Sequence, residues 1–261
     1  MNLNAIEIAS RKAWPALQEA ELPFGVLRFA HGVSRRTNCL SLFIGARPDW
    51  SLLCSLTETF FERFEQPAII RLLGVPSANE TAELDRFLET SGYRLVTPTR
   101  VMVCNIGPGT QAELAALSNQ AIAVKLDAWL SAWHQLIGKS AHEHAIHHLM
   151  LQRLPRNHLL LVHYDSNGQP VSTGMSVCDD QLMGVFGIAT ALSHRNKGFA
   201  RNLVQQLMNW GSSEGAATAY LQVEEANTAA SSVYESLGFR EAYRYWYREK
   251  QFGDHEKGGI L

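Results

Sequence analysis

Read from the amino end, the apolar positions change period many times, and each change marks an expected element. "NAIEIASRKAWPALQE" has a helical stripe from Asn4 to Glu19, interrupted near Pro15. "FGVLRFAHGV" and "CLSLFIG" alternate like strands on either side of the polar turn "SRRTN". "LTETFFERFEQ" returns to helical spacing and stops at Pro67, and "AIIRLLGV" is a short apolar run of buried-strand type. "NETAELDRFLETSGY" starts on a capping residue with acidic neighbours and ends on Gly92, a helix-terminating glycine. "RLVTPTRVMVCNI" is a further strand, after which "GPG" breaks the pattern.

The second half restarts the pattern. "QAELAALSNQAIAVKLDAWLSAWHQLIG" and "AHEHAIHHLMLQRLP" carry helical periods. "HLLLVHYD" and "PVSTGMSVCD" are strands joined by the hairpin signal "SNGQ", and "QLMGVFGIAT" is a third. There follow the helix "GFARNLVQQLMNWGSSEG", the strand "ATAYLQVE", the helix "NTAASSVYESLG" and the strand "FREAYRYWYRE". Residues 87–103 and 233–249 align without gaps, placing Gly92 on Gly238 and Tyr93 on Phe239 at an offset of 146 residues (238 − 92). Convergence of any helix–glycine–strand unit explains part of this, and an ancestral half-fold repeated twice explains the shared element order as well. The expected organisation is a domain over 1–107, a second over 108–251 and a flexible tail over 252–261.

Composition narrows the class. The 261 residues are 46% hydrophobic and 18% charged, with a formal charge of −2, which describes an ordinary globular protein. No global field draws nucleic acid or an anionic membrane, and no apolar run reaches the ~18 residues that span a bilayer. The first residues carry Glu7, Arg11 and Lys12 in an amphipathic pattern, unlike a secretory signal. The four cysteines lie far apart without a C-x-x-C pair, so neither a zinc site nor a disulfide framework is expected, and a reducing cytoplasm is the simplest compartment.

The candidate chemistry lies in "SHRNKGFARNL". A strand here runs into a turn and then a helix that starts on glycine, so the helix's first N–H groups lack intrahelical partners and favour an anion. Gly198 and Ala200 let a pyrophosphate approach the main chain, and Arg195, Lys197 and Arg201 add positive charge. R-x-x-G-x-A alone is a weak signal. Followed by a strand and then N-x-x-A-x-x-x-Y-x-x-x-G-F, from Asn227 through Tyr234 to Phe239, it becomes specific.

With those motifs in place, the stretch from about Leu159 to Trp246 resembles the GNAT superfamily of acyl-CoA-dependent N-acyltransferases. The first half looks like a degenerate second copy lacking the R-x-x-G-x-A turn, and "AWPAL…FGVLRFAHGVSRRTN" is similar to the amino-terminal half of some bacterial tandem GNAT proteins. The resemblance implies an α/β fold of two GNAT-like halves, each a mixed, mainly antiparallel sheet flanked by helices. It implies acetyl-CoA as acyl donor, gripped at the pyrophosphate by Arg195, Asn196, Lys197, Gly198, Phe199, Ala200 and Arg201. The strand end Ile188, Ala189 and Thr190 pairs with the pantetheine arm and offers an oxyanion donor. Asn227 contacts the coenzyme, and Tyr234 protonates the departing thiolate, phenol and thiol pKa values lying within about two units. The strand before the turn lacks the carboxylate such enzymes often carry, which leaves the base open. Glu224 is the nearest candidate, with His163 behind it.

Other features have plainer readings. In "HEHAIHH", His144 and His148 stand at i, i+4, but the order does not match a metalloprotease and no metal is expected. The resemblance puts His142 to His148 beside the acceptor site. Trp129 and Trp133 read as core or inter-domain packing, and Cys104 and Cys178 as small buried residues. The implied function is acetyl transfer to a primary amine of a small molecule by direct attack in a ternary complex. A non-catalytic acyl-CoA sensor and an aminoacyl-tRNA-dependent transferase stay open beside it. No nucleic acid or membrane partner is expected, and a homodimer stays open.

Overall fold

A computed structural model describes residues 2–74, 79–107 and 120–252. In chain order the elements are α1 (Leu3–Ala13), β1 (Gln18–Leu22), β2 (Gly25–Phe29), β3 (Cys39–Leu42), α2 (Trp50–Glu62), β4 (Ala68–Gly74), α3 (Asn79–Thr90) and β5 (Arg94–Asn105). They continue as β6 (Ile122–Ala123), α4 (Leu126–Ile137), α5 (Ala141–Leu151), β7 (His158–Tyr164), β8 (Pro170–Asp179) and β9 (Leu182–Thr190). The last are α6 (Phe199–Ser213), β10 (Thr218–Glu224), α7 (Thr228–Ser236) and β11 (Arg240–Lys250). The chain divides into two compact units, one of Met1–Pro15 with Arg100–Ala242, the other of Ala16–Thr99 with Tyr243–Leu261.

In the smaller unit the strand order is β1-β2-β3-β4-β11-β5. β1 pairs with β2 across the tight turn between Leu22 and Gly25, so residues 18–22 form a strand where the apolar period predicts a helix to Glu19. Pro15 accounts for this, because it forces the chain out of the helical region shortly before the hairpin. β3 and β4 run parallel, joined by α2, whose N-terminus is capped by Asp49 Oδ1 accepting from the Leu52 N–H at 2.8 Å. Leu40, Leu53, Phe61, Ile70 and Leu88 are fully buried in its core. Arg248, on β11, is fixed by a fork of bonds to Asp85 on α3, Nε to Oδ1 at 2.7 Å and Nη2 to Oδ2 at 2.6 Å.

In the larger unit the order is β11-β5-β10-β9-β8-β7-β6. The pairs β6–β7, β7–β8 and β8–β9 are antiparallel, whereas β9 and β10 are parallel and joined by α6. Leu203, Val204 and Leu207 of α6 meet Val185, Leu221, Tyr234 and Phe239 in one apolar cluster. A second cluster is aromatic: Trp14 lies edge-on to Trp133 and stacked on Phe186, and Trp133 stacks on Trp129. The sequence pattern predicts one long helix over 111–138, but Ile122 and Ala123 pair with Val162 and Leu161, and α4 starts only at Leu126. The β-branched edge residue finds a strand partner, which single-chain periodicity cannot show. The opening of that expected helix, within 108–119, lies outside the described residues, as does the expected tail beyond Phe252.

The aligned segments of the two halves share their backbone bonds. Gly92 and Gly238 have φ of +87° and +92°, the left-handed region that glycine adopts without strain. Tyr93 N–H donates to Leu88 O and Phe239 N–H to Tyr234 O, and each glycine N–H donates to the residue three before it. Among the described residues no helix is long and apolar enough to cross a membrane.

Candidate functional site

The site is built on β9 and on the turn and helix that succeed it. The parallel register with β10 runs from Thr218↔Leu182 to Leu221↔Val185, so Gly187–Thr190 extend past the paired stretch. On the other edge β9 carries a bulge. Thr173 faces Ala189 and Met175 faces Phe186, leaving Gly187 and Ile188 opposite the single residue Gly174. Gly187 sits at φ +60°. Thr190, the last residue of the strand, has its hydroxyl oxygen buried without a partner among the described residues, while its carbonyl accepts from Arg195 Nε at 3.4 Å.

A single turn of 3-10 helix over Leu192–His194 then leads to Asn196 at φ +60° and Gly198 at φ +84°. α6 begins on Gly198 with no side-chain cap, so its first-turn N–H groups carry the positive end of the helix dipole outward. The space a side chain would take at Gly198 is open, with nothing within 4 Å among the described residues. Arg195, Asn196, Lys197 and Gly198 are exposed or nearly so, Phe199 and Ala200 half-buried. Arg201 is exposed and donates to Ser236 Oγ on α7 at 2.6 Å. The expected turn residues therefore surround one uncapped helix end that fits an anionic phosphate group.

β10 delivers the other candidates. Glu224 is exposed at its end, and its carbonyl accepts from Asn227 N–H at 2.9 Å. Asn227 caps α7, its Oδ1 taking the Ala230 N–H at 3.1 Å, so the donors of its side-chain amide point away from the cap. Tyr234 is 8% exposed, and burial pushes its phenol up to about 12. His163 is fully buried with both ring nitrogens engaged, Nδ1 with Ser172 Oγ at 2.8 Å and Nε2 with Asn202 Oδ1 at 3.2 Å. Burial lowers its pKa.

The histidine-rich helix α5 is divided in its contacts. His148 Nε2 meets Asp127 Oδ1 at 2.8 Å on the surface, His142 is exposed, and His147 is buried with its Nδ1 3.1 Å from His134 Nε2. Burial depresses both members of the His134–His147 pair to about 4. Trp129 and Trp133 lie in the core of their own unit. Cys178 is buried, whereas Cys104 is only half-buried, its thiol lying 3.6 Å from Leu237 O.

Sequence reasoning missed the bulge and the side chains around it. The isolated glycine in "GVFGIAT" was the available signal, since a glycine inside a strand often marks a bulge.

The family model described as "Probable histone acetyltransferase Rv0428c C-terminal" matches residues 169–248, which cover β9, the turn, α6, β10 and α7. The uncharacterized N-acetyltransferase YobR of Bacillus subtilis (strain 168) is 25% identical over 252 residues, covering 96% of this chain and 99% of that protein. The same fold occurs in a GCN5-related N-acetyltransferase from Kribbella flavida, with a TM-score of 0.66 at 18% identity and 95% of each chain covered. It also occurs in a tandem GNAT protein from the clavulanic acid biosynthesis pathway, with a TM-score of 0.59 at 13% identity, covering 82% of this chain and 74% of that one.

Proposed function

We propose that the chain is an N-acetyltransferase of the GNAT type, like the proteins it resembles, and that it moves an acetyl group from acetyl-CoA to a primary amine of a small molecule. The observation that carries this reading is the uncapped, unobstructed N-terminus of α6 at Gly198, reached by one short turn from the bulged end of β9.

In this reading the main-chain amides from Asn196 to Arg201 hold the pyrophosphate, and Arg195, Lys197 and Arg201 supply the surrounding charge. Ile188, Ala189 and Thr190 offer their backbone to the pantetheine arm, and the buried Thr190 hydroxyl accepts an amide N–H from it. Asn227 donates from its side-chain amide. A β9 amide stabilises the negative charge that grows on the thioester oxygen as the neutral amine attacks, which needs no covalent enzyme adduct. Glu224, in contact with solvent, takes the amine proton through water, and Tyr234 donates to the departing sulfur.

The test is direct. Acetyl-CoA should raise the melting temperature of the purified protein, and pools of small amines should then release free thiol from it. No thermal shift at millimolar acetyl-CoA would overturn the reading. One observation favours a second reading, an acyl-CoA sensor without turnover: β9 carries no carboxylate, and Glu224 is exposed instead of held over the strand. Binding without thiol release from any amine would select it.

A further inference from the structure

Trp129 is fully buried, and its indole N–H needs an acceptor there. The acceptor is the carbonyl of Gly174, at 3.0 Å, the one β8 residue that faces two residues of β9. The same indole ring lies over the other side of the bulge, where a Cβ at Gly187 would come within 2.5 Å of Trp129 Cζ2. Thr173, also fully buried, donates from Oγ1 to the Gly187 carbonyl at 3.0 Å. Gly174 has no room for a side chain either, a Cβ there falling 2.8 Å from Ile188 Cδ1 and 3.1 Å from Leu207 Cδ1. Two hydrogen bonds and three close steric contacts thus converge on three residues of broken ladder.

We propose that Trp129 and Thr173 are positioning residues for acetyl transfer, locking the Gly187–Ile188 bulge so that the backbone amides of the β9 end point at the thioester carbonyl. This rests on the acetyltransferase reading above. A core tryptophan needs only apolar neighbours and any acceptor. This one bonds the carbonyl where the ladder breaks and packs on the glycine whose left-handed φ makes the break. Without the lock, β9 can slide by one residue, and a one-residue slip turns every following side chain and amide to the opposite face. Pantetheine binding spreads over several groups and tolerates a small misalignment. The carbonyl contact does not, since a displacement of about 1 Å at a reacting centre costs up to about 100-fold in rate.

The test uses Trp129→Phe, which keeps a ring but drops the N–H, and Thr173→Val, which keeps the shape but drops the donor. In both, the dissociation constant for acetyl-CoA should stay within about twofold while kcat falls by about tenfold or more. Acetyl-CoA labelled with ¹³C at the thioester carbonyl should show its bound resonance moving back toward the free value in the variants. In ligand-free protein, amide exchange at Ile188–Thr190 should accelerate in both. Unchanged exchange, or an unchanged carbonyl resonance at normal affinity, overturns the lock. So does an equal loss of affinity, kcat and melting temperature, the mark of a merely structural role. Wild-type protein that binds no acetyl-CoA would instead sink the acetyltransferase reading, and the exchange measurement would still decide whether Trp129 and Thr173 hold the bulge. Thr173→Val keeps the proposal falsifiable should Trp129→Phe fail to fold.

Discussion

At Tyr234 burial and chemistry act in opposite directions on one side chain. Its phenol is held at about 12 by desolvation, above an ordinary tyrosine and well above the roughly 8.5 of a thiol. It is therefore protonated throughout any practical assay, and in the proposed role it would be a reluctant acid, giving up its proton only once charge has built on the sulfur. The enzyme should behave accordingly in two measurements. Tyr234→Phe should lower kcat by about 10- to 100-fold while leaving the acetyl-CoA dissociation constant near wild type. The wild-type kcat profile should show no loss assignable to this group up to about pH 10, because the folded pKa lies above that window. A variant with wild-type kcat would remove Tyr234 from the chemistry, and an alkaline limb below that pH that disappears in Tyr234→Phe would contradict the burial argument.

Elements of the same order meet opposite ends in the two units. In both, a strand leads through a turn into a helix that crosses over to a parallel neighbour, β3–α2–β4 in one and β9–α6–β10 in the other. Asp49 closes the N-terminus of α2 with its own carboxylate, while Gly198 leaves that of α6 open. A carboxylate capping a helix satisfies the orphan amides and the dipole, so it competes with a phosphate for both. Gly198→Asp should bring the smaller unit's solution into the larger one. The space beside Gly198 has room for the side chain, so melting temperature should hold within a few degrees, the φ of +84° costing about 1 kcal/mol and the new cap offsetting part of it. Acetyl-CoA affinity should fall by more than about tenfold by charge repulsion. Undiminished binding would mean that the pyrophosphate does not sit at this turn. Much of this element was legible in advance, since strand, glycine turn and apolar stripe are local signals. The bulge lock was not. Trp129 and Trp133 at i, i+4 announce only a buried helix face, and nothing local says that one indole reaches the carbonyl of Gly174. β6 was hidden for a similar reason, because its two residues become a strand only by pairing with β7.

For the whole molecule, the asymmetry between α2 and α6 predicts the stoichiometry of the proposed acetyl-CoA binding. The repeat unit Gly92–Tyr93 kept the backbone bonds of Gly238–Phe239, but Leu88 stands where Tyr234 stands, and Asp49 caps a helix end of the kind that Gly198 leaves open. The relation between the halves was legible in the sequence through its glycines, whereas the self-capping needs the helix boundary at Trp50 to be known. Calorimetric titration should give one acetyl-CoA per chain, and two would show that the smaller unit also binds.

Global stability should also carry a signature of the His134–His147 pair, which joins α4 to α5 beneath Trp14 and Trp133. Both rings are nearly inaccessible, and His134 Nδ1 is buried without a partner among the described residues. Burial depresses both folded pKa values to about 4, and the neighbouring Lys139 and His144 oppose a charge there while Glu143 favours it. An unfolded histidine titrates near 6.5, so between about pH 6.5 and 4 the unfolded chain binds more protons than the folded one. Stability must then rise with pH across that window, be complete above it, and drain away as pH falls. The loss is on the order of 3 kcal/mol for each ring by about pH 4. His147→Gln keeps a side chain able to bond His134 but cannot take a proton, so its urea midpoint should fall less steeply than wild type between about pH 6.5 and 4.5. Parallel curves for the two proteins would mean that the rings can be protonated in place, and that water or a shifted helix reaches them in the folded state.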